Sequence, residues 1–107
     1  MFILYNVDRT KLVLSDKIKS INVERMGPTL SVIKINGAIF TDNYDIDESN
    51  GTLYDIRDNI VDLLKIEKQY EKTNDNEVRE FLITKTGEMT RIYSIGEEEN
   101  PMMKLWV

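Results

Sequence analysis

The chain has 107 residues, 41% hydrophobic and 31% charged, which is enough apolar matter for one core and too regular a pattern for a disordered chain. It contains no histidine and no cysteine, which excludes disulfides, thiolate nucleophiles, zinc sites of the usual ligand types and every histidine-based triad. The net charge of −5 is lopsided: residues 1–41 hold six Lys or Arg against three Asp or Glu, and residues 42–107 hold eight against sixteen. Such a balance disfavours nonspecific nucleic-acid binding, which rests on neutralising phosphates, and leaves an acidic face to meet a basic partner. Separate hydrophobic cores need about 100 residues each, so residues 1–107 read as a single domain.

Phe2 to Val7 is apolar nearly throughout, the pattern of a strand covered on both faces, and Lys11 to Leu14 follows the polar Asp8-Arg9-Thr10 turn to make a hairpin with it. The opening run is too short for a signal peptide or a membrane span, which predicts a cytoplasmic protein. From Lys19 to Arg25 the pattern alternates, with Ile21 and Val23 on one side and Ser20, Asn22 and Glu24 on the other. Leu30 to Ile35 and Ala38 to Thr41 flank Asn36-Gly37, the strongest short hairpin signal in the chain because a type I′ turn needs positive φ at both central positions. That turn sets Ile35 opposite Ala38 and Ile33 opposite Phe40.

Asp42 to Gly51 is an acidic connection into the one long helix, Thr52 to Tyr70. Leu53, Ile56, Ile60, Leu63 and Leu64 fall in one sector, while Asp55, Asp58, Asp62, Lys65 and Gln69 face the other way. Thr52 and Asp55 have capping-box spacing, and Lys65, Lys68 and Lys72 trail, as the macrodipole favours. Glu67 falls within the apolar sector, which predicts that firm docking ends near Leu64. Val78 to Thr84 and Met89 to Ile95 form a second hairpin about Thr86-Gly87. Gly96 to Pro101 is a solvated loop, and the closing MMKLWV reads either as a core strand or as an exposed partner-binding tail carrying Trp106 and Met103.

No arrangement of catalytic residues emerges. Asp45, Asp47, Ser49 and Gly51 resemble the start of a calcium loop, but the glycine comes one position late and Ile56 stands where a bidentate Glu is needed. The carboxylates lie in the most hydrophilic stretches, without the apolar walls that shift a catalytic pKa, and the isolated glycines make no phosphate loop. The sequence therefore predicts no enzyme, no metal site and no cofactor. Lys11, Lys17, Lys19, Arg25 and Lys34 with Tyr5 offer a second possibility, a basic and partly aromatic sheet face for an anionic small ligand or single-stranded nucleic acid, though lysines also guard strand edges.

At KIKSINVER, SVIKINGAIFTDNYD and the helix start TLYDI, across residues 11–66, the chain resembles small uncharacterised proteins of Firmicutes phages and mobile elements that pair a meander of short strands with one helix. By size and charge it is similar to small acidic phage proteins that inhibit host defence by occupying an enzyme's nucleic-acid-binding surface, anti-CRISPR proteins among them. The resemblance implies no catalytic residue. The expected fold is α+β: a single antiparallel sheet of short strands and hairpins with the 52–70 helix packed on one face through Ile33, Ile35, Ala38, Phe40 and Phe81. The expected function is a noncatalytic protein-binding inhibitor that meets a host protein's basic surface through Asp42, Asp45, Asp47, Glu48, Glu97, Glu98 and Glu99.

Overall fold

In the computed structural model, residues 1–47, 52–72 and 78–92 are described. Phe2–Tyr5 is strand β1, and Leu12–Leu14 (β2) folds back antiparallel to it with Ile3 opposite Leu14. Arg9 takes φ 62° in the turn, whose Asp8 carboxylate accepts both the Thr10 N–H and its hydroxyl. One 3₁₀ turn, Ser15–Lys17, ends β2, and the buried Ser15 Oγ accepts the Phe2 N–H at 2.9 Å. That turn carries the chain out of the first sheet. Ile21–Arg25 (β3), Ser31–Ile35 (β4) and Ala38–Asp42 (β5) then build a second, antiparallel sheet in the order β3-β4-β5.

Helix α1 covers Leu53–Lys72. Its start is the expected capping box: the Thr52 Oγ1 accepts the Asp55 N–H at 3.3 Å, and the Asp55 carboxylate accepts the Thr52 N–H at 2.8 Å. Arg79–Ile83 (β6) and Met89–Ile92 (β7) return as a hairpin about Gly87, at φ 85°. β6 lies parallel to β1, Phe2 beside Arg79, so the first sheet is mixed and runs β2-β1-β6-β7. The fold is α+β with one helix, but the expected single antiparallel sheet is two sheets. Hairpins announce themselves through adjacent residues and turns; a parallel pair needs a long crossover, here everything from β2 through α1, and leaves no local signal. The wholly apolar β1 is explained by its place between β2 and β6.

The core joins the inner faces of both sheets to the helix: Phe2 and Leu4, Ile33 and Ile35, Phe40, Ile83, and Leu53, Ile56 and Ile60 are all buried in one cluster. Phe2 and Phe81 meet edge to face at 5.8 Å. The helix rests on β3 and β4, and Asn59 Nδ2 donates to Gly87 O. Ala38, expected in the docking face, is exposed beside its turn. Ile33 stands opposite Thr41, not Phe40, because the ladder shifts between Ile33 and Lys34 and gives β5 one extra residue. The carbonyl that such a bulge frees needs a donor, and the buried Asn6 Nδ2 reaches Phe40 O at 3.1 Å from the other sheet.

Thr41 is left 2% exposed, and its Oγ1 has no hydrogen-bond partner among the described residues. A Thr41→Val change keeps the shape and removes an unsatisfied hydroxyl, so it should stabilise the fold by about 1 kcal/mol. Thermal denaturation checks this; a lowered melting temperature would contradict it.

Helix docking does not end at Leu64. Glu67 is buried with the helix's apolar residues, where its Oε2 meets the Arg79 Nη at 2.5 Å and its Oε1 meets the N-terminal ammonium. The Arg79 guanidinium also lies 3.9 Å from the Tyr70 ring centre. Burial pushes the Glu67 carboxyl up, but hydrogen bonds from the ammonium and Arg79, with their charges, outweigh it and hold the pKa below the ordinary value. A charge within an apolar sector thus has a partner supplied by β6.

Candidate functional site

Of the seven carboxylates expected to bind a partner, Glu48, Glu97, Glu98 and Glu99 lie outside the described residues, as does the closing run 102–107. Asp42 turns out to be structural: its half-buried Oδ1 accepts the N–H groups of Tyr44 at 2.8 Å and Asp45 at 3.1 Å, which shapes the loop leaving β5. Asp45 is half-buried and Asp47 exposed. The Asp47 N–H donates to Lys85 O at 2.5 Å, which ties this loop to the β6–β7 turn. Since the same turn receives Asn59 through Gly87 O at 3.4 Å, three segments meet at one end of the molecule: the 42–47 loop, the first turns of α1 and the 84–88 turn.

Gly87 is buried there at a positive φ, and a Cβ on it would come within 3.3 Å of the Ile56 side chain, so the turn is seated closely on the helix. Segments 42–47, 52–59 and 84–88 hold six carboxylates, Asp42, Asp45, Asp47, Asp55, Asp58 and Glu88, against two cations, Arg57 and Lys85. Arg57 is spent on Asp58 at 3.0 Å. Asp47, Asp55, Asp58 and Glu88 are exposed. The carboxylates of α1 were visible in the sequence as its outer face; that Glu88 and the 42–47 loop join them was not, because a backbone hydrogen bond made across 38 residues gathers them.

β7 starts beside this cluster at Met89 and runs away from it toward Ile92, so the chain leaves the described sheet at its far end. Three of the five basic residues read from the sequence as one face, Lys11, Arg25 and Lys34, are engaged in separate contacts. Lys11 Nζ donates to Ile39 O, Arg25 folds onto the carbonyls of Gly27 and Pro28, Lys34 pairs with Glu24 at 3.0 Å, and Tyr5 belongs to the other sheet, where its hydroxyl donates to Glu80.

Concavities lined by described residues also lie elsewhere. A groove of about 440 Å³ between β2 and β5 is lined by Leu12, Val13, Ile35, Ile39 and Phe40 with Lys11 across it, apolar and without an acid–base pair. A cleft of about 330 Å³ beside Leu64 and Ile18 includes Glu67, whose oxygens are already held by Arg79 and the ammonium. The groups with displaced pKa values are likewise engaged in structure. Tyr5 is raised by its hydrogen bond to Glu80, then by burial; Asp8 is lowered by its bonds to Thr10. Among the described residues no group of three His, Cys, Asp or Glu is placed to hold a metal ion, and no helix is long and apolar enough to cross a membrane. Comparison of the chain with family models, with curated proteins and with solved structures finds no match.

Proposed function

We propose that the chain is a noncatalytic protein-binding module of phage or mobile-element origin that acts in the host cytoplasm by occupying a basic, nucleic-acid-binding surface. One observation carries the reading: the Asp47–Lys85 and Asn59–Gly87 contacts gather six carboxylates and only two cations at one end of the molecule. These carboxylates sit on a capped helix start and on short hydrogen-bonded turns, so their spacing is held before a partner arrives and little ordering entropy is lost on binding. A fixed array of negative charge is what a surface built for phosphates attracts, through long-range steering followed by paired contacts. The noncatalytic part is supported by what the displaced groups do: Glu67, Tyr5 and Asp8 each make a structural hydrogen bond.

The test is competition. A host protein captured by the immobilised chain and then purified should release a bound fluorescent oligonucleotide when the chain is added. A ternary complex, with chain and oligonucleotide held together, would contradict occupation of the nucleic-acid surface.

A further inference from the structure

β2 is the last strand of the mixed sheet and β5 the last strand of the antiparallel one, and these two edges form no ladder with each other. Side chains bridge the sheets instead: Lys11 Nζ donates to Ile39 O at 2.7 Å, and Asn6 Nδ2 to Phe40 O at 3.1 Å. The groove between the edges, about 440 Å³, falls in the range of about 300–1,000 Å³ that small-molecule sites occupy. Ile35 and Phe40 line it from the core cluster, whereas Leu12 is 55% and Ile39 38% exposed. Single exposed aliphatic residues are ordinary on a protein surface, but here two of them line one concavity together with buried apolar residues. Lys11 is the one charged residue lining the groove. Its Nζ meets a neutral carbonyl and, among the described residues, forms no ion pair. An ammonium has three protons to donate, so it can hold Ile39 O and take an anion as well.

We propose that the β2–β5 groove binds a medium-chain fatty acid, with its alkyl chain against Leu12, Val13, Ile35, Ile39 and Phe40 and its carboxylate on the Lys11 ammonium. The occupant follows from complementarity. Aliphatic and aromatic walls with a single cation match one apolar chain that ends in one anion. A sugar or a nucleoside would set polar groups against Ile35 and Phe40, where nothing among the lining side chains can pair them. The groove shares no residue with the acidic end, so the inference stands or falls separately from the proposed function.

The probes are the sodium salts of hexanoate, octanoate and decanoate, kept below their micelle concentrations, added to the full chain in an NMR titration of its backbone amides. Each should shift the amides of residues 11–13 and 38–40 saturably and at one site. Every added methylene should tighten binding about fourfold until the groove is full. Lys11→Met keeps most of the apolar stem and removes the charge, so it should weaken octanoate about fivefold and leave the binding of 1-octanol unchanged. Shifts that are missing, that fail to saturate or that centre on other residues would overturn the proposal. So would octanol bound by the wild type as tightly as octanoate, or a dimer in sedimentation whose contact covers Leu12 and Ile39. The wild-type titrations decide it even where the variant fails to fold.

Discussion

An Ile60→Asp variant is expected to show no cooperative thermal transition at neutral pH. Ile60 is 0% exposed, in the middle of the helix and within the cluster that joins both sheets. The change forfeits about 2 kcal/mol of apolar burial and places a carboxylate among Ile56, Ile33 and their neighbours, where an unpaired charge costs several kcal/mol more. A domain of this size has a total stability of about 5–15 kcal/mol, so the sum approaches or exceeds the whole. Calorimetry or circular dichroism checks the outcome. A variant that melts at the wild-type temperature would show that the helix docks through another face.

The second large effect belongs to Glu67. Glu67→Gln keeps the shape of the side chain and removes its charge, which takes a buried carboxylate away from both the Arg79 guanidinium and the N-terminal ammonium. Breaking one side of such a buried pair costs about 3–5 kcal/mol. The sign with pH follows from linkage. Because the folded pKa of Glu67 lies below its ordinary value of 4.5, the pair contributes fully above that value and its contribution is lost as pH falls through the folded pKa. Melting temperatures of wild type and Glu67→Gln should therefore stand well apart at neutral pH and draw together as the solution is made acid. A gap that stays constant down to strongly acid pH would mean that charge is not what Glu67 provides.

These two positions show how far the sequence could be read. Ile60 was legible because helical periodicity assigns it to the docking face without any knowledge of what covers it. Glu67 fell on the same face and was misread, since its partners lie on β6 and at the amino terminus, 12 and 66 residues away in the chain. The turns were legible for the same local reason as the helix. Asn36 and Gly37 take φ of 54° and 80°, Gly87 takes 85°, and Thr52 with Asp55 closes the capping box. What was lost is what tertiary contact decides: the parallel pairing of β1 with β6, and the extra residue at Phe40, which is anchored by Asn6 from another sheet. The candidate site divides in the same way. Asp42, Asp45 and Asp47 were read together as an acidic, partner-binding surface loop, and that the Asp42 carboxylate also shapes the turn was not legible. Asp58 and Glu88 joined them only through the seating of the β6–β7 turn on the helix.

The claim that rests most heavily on this arrangement is that the acidic end steers the chain to a basic partner. It is tested by stopped-flow association of the purified partner with a variant carrying Asp45→Asn, Asp47→Asn, Asp58→Asn and Glu88→Gln. Asp47, Asp58 and Glu88 are exposed and Asp45 is half-buried, and circular dichroism establishes that the variant is folded before its association is compared. Removing four charges should slow association about tenfold or more at low ionic strength, with a smaller difference in high salt, where the Debye length falls from about 10 Å at 0.1 M to about 3 Å at 1 M. A folded variant that associates as fast as the wild type, with the same dependence on salt, would contradict the account.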